Sequence, residues 1–216
     1  MTDRKLIMFD LDGTLSESAD GIKLCLTKAL NDMGFSVPEL DDYTKYIGPP
    51  LFTTFVELCG LTEQEAKRGV DIYIKHYLEE GMYINRAYPG IKELLINLKA
   101  AGKTVVAATS KNEQLAIDVL KHIGLYDCFD FICGSKTDGT RKLKRDVILY
   151  VMDTMGFNRN ESVMIGDTKF DAEGAMLAGC GFIGVLYGYG LEAQMRSFGA
   201  EVFAHDVREL ENIVLG

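Results

Sequence analysis

The chain has 216 residues, 47% hydrophobic and 25% charged, the balance of a soluble globular protein with room for one α/β domain and a small addition, and no apolar run approaches the roughly eighteen residues of a membrane span. A formal net charge of −9 argues against a nucleic-acid backbone as partner, because phosphate contacts ask for a basic surface, yet it leaves room for a small phosphorylated substrate met by one metal ion and one lysine. Met1 to Lys5 has no signal-peptide pattern, and Cys25, Cys59, Cys128, Cys133 and Cys180 are odd in number without metal-ligand spacing; they read as free, mostly buried thiols, so a cytoplasmic location is expected.

The first apolar run, starting at Leu6, predicts a short buried strand that stops at Asp10-Leu11-Asp12-Gly13-Thr14-Leu15. Residues two apart in an extended chain point to one side, so Asp10 and Asp12 are expected to face a common site with Cα atoms roughly 6–7 Å apart. Two carboxylates that close repel unless a cation or a proton relieves them, which suits a metal ion, a nucleophile and an acid. A solvated turn is the plain alternative. From Leu15 to about Met82 the pattern is helical, with no strand. Asp20 to Met33 carries Ile22, Leu26, Ala29, Leu30 and Met33 on one face and ends at Gly34. Leu51 to Leu58 predicts a second helix closed by Gly60, and Thr62 with Glu65 forms a capping box for a third, striped by Val70, Tyr73, Ile74, Tyr77 and Leu78. Tyr43, Tyr46, Tyr73 and Tyr77 are expected in the core of this block. His76, His122 and His205 sit singly and receive no role.

From about Asn85 helices alternate with short apolar strands. Pro89-Gly90 opens a helix through Leu98, and Thr104 to Thr109 is a strand ending in Ser110-Lys111. A helix from Asn112 to Ile123 precedes a strand at Phe129 to Cys133. The basic run Arg141 to Arg145 introduces a helix to Met155, Ser162 to Ile165 is a strand ending in Gly166-Asp167, and a helix from about Phe170 to Ala178 leads to a last strand, Phe182 to Leu186. This alternation implies a parallel sheet with helices on both faces. The helical block then reads as an insertion after the first strand: a core of residues 1–16 and 84–216 and a cap of residues 17–83, hinged near Ser16–Ser18 and Met82–Arg86. Ligands of an open parallel sheet bind beyond the carboxyl ends of its strands, and those ends deliver Asp10 and Asp12, then Ser110, then Asp167 with Asp171 four residues on. The plain alternatives are a helix N-cap for Ser110, an exposed helix face for Asp171 and a solvated loop for Arg141 to Arg145.

Asp-x-Asp-Gly-Thr-Leu at Asp10–Leu15 resembles the first motif of the haloacid dehalogenase superfamily. Ser110 fits the second motif, Lys144 the third, with Lys142 in reserve, and Gly-Asp-Thr-Lys-Phe-Asp at Gly166–Asp171 the fourth. The resemblance implies a Rossmann-like core with an inserted helical cap and a Mg2+-dependent phosphatase acting through an aspartyl-phosphate, similar to phosphoglycolate phosphatases and 5′-nucleotidases. It implies Asp10 as nucleophile and metal ligand, Asp12 as acid and base and metal ligand through its carbonyl, Thr14, Ser110 and Lys144 on the phosphate, and Asp167 and Asp171 at the metal, Asp171 directly or through water. Gly48-Pro49-Pro50-Leu51 is either a cap loop facing the site or a rigid turn. A phosphomutase or pyrophosphatase could share every core motif. A dehalogenase does not need Asp12, and a receiver-type phospho-acceptor domain is about half this length. The expected partner is a small phosphorylated metabolite, with no nucleic acid or membrane; a monomer is compatible, and the oligomeric state stays open.

Overall fold

The structure is a computed structural model that describes residues 3–37, 46–136 and 140–216; Tyr43 lies outside them. Six strands form a parallel sheet: β1 (Leu6–Phe9), β4 (Thr104–Asn112), β5 (Phe131–Ser135), β6 (Ser162–Gly166), β7 (Gly181–Val185) and β8 (Phe203–Ala204), in spatial order β5-β4-β1-β6-β7-β8. Leu6 pairs with Thr104 on one side and Ser162 on the other, so β1 is central and all four of its residues are fully buried. Pleating divides them. Leu6 and Met8 join the cluster of Val147, Ile148 and Val151 from α6 (Lys144–Met155) and Ala175 and Ala178 from α7 (Lys169–Ala178). Ile7 and Phe9 join the opposite cluster, with Leu94 and Leu98 of α4 (Ile91–Ala100), Val119 and Leu120 of α5 (Glu113–His122), and Leu210 of α9 (Val207–Leu215). Both faces are covered, which is why these strands are continuous apolar runs.

The helices from Ala19 to Glu79 form one packed group. Buried Cys25, Leu26 and Ala29 of α1 (Ala19–Asp32) share a cluster with Ala66, Tyr73 and Tyr77 of α3 (Glu63–Glu79). The expected capping box starts α3: Thr62 Oγ1 accepts from the Glu65 N–H at 3.3 Å, and Glu65 Oε2 accepts from the Thr62 N–H at 2.9 Å. The expected helix from Leu51 to Leu58 is divided into a short α2 (Leu51–Thr53) and a π-turn at Thr54–Leu58, closed by Cys59 N–H donating to the Thr54 carbonyl at 3.1 Å.

The stretch from Leu15 to Met82 does contain a strand, contrary to the reading of the sequence. β2 (Ser16–Glu17) pairs antiparallel with β3 (Arg86–Ala87). Two residues are too few to show a period of two. The two chain crossings into and out of the helical group thus run side by side as a ribbon, tied by Arg86 Nε donating to Glu17 Oε2 at 2.7 Å. The strand expected from Phe129 begins at Phe131, and beyond β7 the chain adds α8 (Glu192–Arg196), β8 and α9. Among the described residues, no helix is long and apolar enough to cross a membrane.

Candidate active site

After β1 the chain turns at once. The Leu11 carbonyl accepts from the N–H groups of Leu15 at 2.9 Å and Ser16 at 3.0 Å. Gly13 sits in this turn at φ +85°, and a Cβ there would run into the Asp167 carboxylate, so only glycine lets the loops after β1 and β6 touch. β1 and β6 lie side by side, and their ends bring Asp10 and Asp167 together. Asp171, in the first turn of α7, completes the group: one carboxylate oxygen from each of the three lies within 4.8 Å of the others, all buried. The exposed-face alternative for Asp171 falls, because its Oδ2 accepts from the Thr168 N–H at 3.0 Å and the Thr168 hydroxyl at 2.7 Å.

Lys144, the first residue of α6, reaches into this group. Its Nζ lies 2.6 Å from Asp10 Oδ1, 2.7 Å from Asp171 Oδ1 and 3.2 Å from the Ala108 carbonyl. The other cations of the run lie elsewhere. Arg141 pairs with Glu113 at 2.8 Å and covers the Tyr150 ring, Arg145 pairs with neighbouring Asp146 at 3.1 Å, and Lys142 stands at 5.7 Å from the Phe52 ring centre.

Burial pushes Asp10 up to about 6, with Lys144 opposing and Asp171 adding to the rise. Asp167 is held well above the usual carboxylate range by burial and then by Asp171 and Asp10, against hydrogen bonds from the Tyr189 N–H and the Thr14 hydroxyl. Burial would lower Lys144, but Asp10 and Asp171 outweigh it and hold the ammonium above its ordinary range. Among the described residues, three buried acids face one buried cation here, so negative charge is in excess. An all-oxygen donor set with excess negative charge fits a hard divalent cation.

The Thr14 hydroxyl, expected on the phosphate, is fully buried and donates to Asp167 Oδ1 at 3.0 Å. Asp12 lies outside the three-acid group: its Oδ2 accepts from Lys111 Nζ at 2.7 Å, and its Oδ1 is buried without a hydrogen-bond partner among the described residues. Ser110 is not the N-cap of α5; Asn112 is, accepting from Gln114 N–H at 3.0 Å and Leu115 N–H at 3.3 Å. The β4–β5 register shifts between Ala108 and Asn112. Such a bulge re-aims side chains, and Thr109, Ser110 and Lys111 all line a cavity of about 520 Å³ together with Asp10 and Asp12. Gly48, Pro49, Pro50 and Leu51 line the same cavity, so this loop does face the site. Tyr46, Tyr73 and Tyr77 are buried as expected, and Tyr46 and Tyr73 also reach the cavity wall.

The sequence reading missed the Tyr187-Gly188-Tyr189-Gly190 loop after β7. The Tyr189 N–H donates to Asp167 Oδ2 at 2.8 Å, and the Tyr187 hydroxyl donates to the Thr14 carbonyl at 3.1 Å. The Tyr189 hydroxyl oxygen accepts from the N–H groups of Ser18 at 2.8 Å and Ala19 at 3.1 Å, supplying the N-terminal cap that α1 lacks from its own side chains. Alternating glycine and aromatic residues just past a strand end were the available signal. Lys111 was missed too, although it follows Ser110 directly.

A family model described as haloacid dehalogenase-like hydrolase matches residues 7–185. A 5′-nucleotidase of Pseudomonas aeruginosa is 36% identical over 208 residues, 96% of this chain and 94% of that protein. The tyrosine-protein kinase PtkA of Mycobacterium tuberculosis is 38% identical over 186 residues, 86% of this chain and 63% of that protein. A phosphoglycolate phosphatase of Aquifex aeolicus is 32% identical over 185 residues, 86% of each chain. The crystal structure of a predicted phosphatase from Clostridium acetobutylicum superposes with a TM-score of 0.92 at 37% identity, covering 97% of both chains.

Proposed function

This chain belongs to the haloacid dehalogenase-like hydrolase family, and from that premise we propose that it is a Mg2+-dependent phosphatase that hydrolyses small phosphate monoesters through an aspartyl-phosphate on Asp10. The observation that carries the proposal is the buried group of Asp10, Asp167, Asp171 and Lys144, with Asp10 and Asp12 both on the wall of one cavity. Asp10 attacks phosphorus, and the ester oxygen leaves with a proton from Asp12. Asp12, now ionised, takes a proton from the water that attacks the aspartyl-phosphate; phosphate departs and Asp10 is regenerated. Lys144 offsets charge beside the attacked phosphoryl group, and Ser110 donates to a phosphoryl oxygen. Asp10, Asp167, Asp171 and the Asp12 carbonyl would hold Mg2+, directly or through water in the case of Asp171. When bound, Mg2+ supplies positive charge that lets an anionic nucleophile approach an anionic ester. Thr14 acts by orienting Asp167.

Residues 17–83 act as a cap over a core of residues 1–16 and 84–216, and the β2–β3 ribbon sits at the boundary. The cavity is two-faced. Its core side carries Asp10, Asp12, Ser110 and Lys111, while the other side is mostly apolar or aromatic, with Tyr46, Ile47, Leu51, Phe52, Tyr73 and Ile74 interrupted by Thr54, Lys67 and Asp71. That lining suits a phosphate ester with a flat or apolar body, such as a nucleoside monophosphate, better than the two-carbon acid phosphoglycolate. The proposed partner is a small phosphorylated metabolite of the cytoplasm, with neither nucleic acid nor membrane; a monomer is compatible, and the oligomeric state stays open. A phosphomutase or pyrophosphatase remains the alternative within the family; family membership sets aside the receiver-type reading.

A turnover panel with Mg2+, covering nucleoside monophosphates, phosphoglycolate, sugar phosphates and a phosphotyrosine peptide at equal concentration, tests substrate class. Nucleoside monophosphates are expected to give the highest kcat/KM and the peptide the lowest, because a walled cavity excludes bulky chains. Faster peptide turnover would sink the small-substrate proposal and turn attention to the likeness with PtkA. Independently of turnover, Mg2+ at a hundredfold excess over its dissociation constant should stabilise the fold by about 2.7 kcal/mol, a rise in Tm of roughly 5–10 °C for a chain of this size. Asp167→Asn should lose most of that rise, and an unchanged rise would place the ion elsewhere.

A further inference from the structure

We propose that Lys111 is the positioning residue of Asp12, and that it ties the aim of this acid to the seating of the 17–83 helices through Tyr77 and Asn85. The inference rests on the acid and base role given to Asp12 above. Among the described residues Asp12 has one side-chain anchor: Oδ2 is 2.7 Å from Lys111 Nζ, while Oδ1 has no hydrogen-bond partner. Both side chains are nearly enclosed, Lys111 at 10% and Asp12 at 13% exposure. A charge pair drawn this far out of water is a poor source of stability, yet it fixes which carboxylate oxygen is left for the cavity. Lys111 itself is aimed by the bulge that follows Ala108.

The far side of Lys111 belongs to the inserted helices. Its Nζ stands 4.6 Å from the centre of the Tyr77 ring, close enough for the ring face to hold an ammonium. Tyr77 is fully buried on α3. Its hydroxyl oxygen accepts from Asn85 Nδ2 at 3.0 Å, and the same amide donates to the carbonyls of Gly81 at 3.2 Å and Met82 at 2.9 Å. Asn85 is buried in the segment that returns the chain to β3. Asp12 and Lys111 therefore stand on core strand ends, and Tyr77 and Asn85 on the insertion and its exit. Displacing the insertion takes the aromatic face from Lys111 and slackens its hold on Asp12. The acid is aimed only when the helices are seated over the site, which keeps an armed Asp12 away from bulk water.

A general acid matters most when the leaving group is a poor one. We compare kcat/KM, which reports the phosphorylation step, for an alkyl phosphate and for 4-nitrophenyl phosphate, whose phenolate leaves with little help. Lys111→Met should lose on the order of 10²-fold on the alkyl ester and less than about tenfold on the aryl ester, Lys111→Arg should restore most of the difference, and Tyr77→Leu should shift the ratio in the same direction to a smaller extent. Lys111→Gln, checked for folding by its melting curve, replaces the methionine variant if that one does not fold. Equal losses on both esters, or no loss on either, would overturn the proposal, and an unchanged ratio in Tyr77→Leu would overturn the link to the insertion. Asp12→Asn is run alongside: if it keeps wild-type activity on the alkyl ester, it is the acid assignment that fails, and Lys111 has nothing to position.

Discussion

Asp10→Asn will lose turnover by a factor on the order of 10⁴ or more, the scale on which removing a covalent nucleophile acts. The amide keeps the shape of the carboxylate but cannot attack phosphorus as an anion. The fold should survive the change, because Asp10 already sits in a setting that disfavours its charge: burial first, then Asp171, push it up to about 6 against the opposing pull of Lys144. Lys144 keeps a partner in Asp171, 2.7 Å away. A melting curve near that of the wild type with activity at background is the expected pair of results. Residual turnover within tenfold of wild type would mean that phosphoryl transfer does not pass through Asp10.

Lys144→Ala is expected to lose about 10²–10³ in kcat, as for other electrostatic contacts to a developing charge. It should also destabilise the fold by about 3–5 kcal/mol, since removing one member of a buried charge group leaves the others uncompensated; Asp10, Asp167 and Asp171 are all buried beside the lost ammonium. Kinetics must therefore be measured where the variant is still folded, with Mg2+ present to offset the acids. The neighbouring cations supply the contrast. Arg145→Ala, an exposed residue paired with the next one along, should stay within about 0.5 kcal/mol of wild type. Arg141→Ala loses its pair with Glu113 and its place over Tyr150, about 1 kcal/mol together, with kcat unchanged. Lys142→Ala, on the cavity wall near Phe52, should leave kcat within a few-fold. A large loss at Lys142 with Lys144 unaffected would show that the third motif is read in the wrong register.

The parallel sheet and its acidic edge were legible because the signals were long-wave: the strands are apolar runs, and those of β1 and β6 end on Asp10 and Asp167. Asp10 and Asp167 follow directly from that rule, as β1 and β6 are neighbours. Lys144 could be picked from a basic run because its place before the helix that leads to the Gly166-Asp167 strand matches the family's third motif. What the sequence hid were orientations set by neighbours far along the chain. Nothing in Asp-Gly-Thr says that the Thr14 hydroxyl turns to Asp167, 153 residues away. The bulge in β4 that aims Ser110 and Lys111 is a register event between two strands and leaves no mark on either. The β2–β3 ribbon is too short for any periodicity, and the Tyr187 to Gly190 loop gains its role only by lying across Gly13 and Asp167. Composition made Lys111 look like one more surface lysine; only the fold shows it shut between Asp12 and Tyr77.

The central claim is that the phosphoryl group is carried on Asp10, and acid quench during turnover tests it most directly. Enzyme mixed with a radiolabelled phosphate ester and Mg2+, denatured in acid within the first turnovers and digested, should yield a labelled peptide containing Asp10, with the label released by mild base as an acyl-phosphate is. Asp10→Asn treated in the same way should yield none. Label on a different residue, or steady turnover with no label trapped at any quench time, would contradict the account.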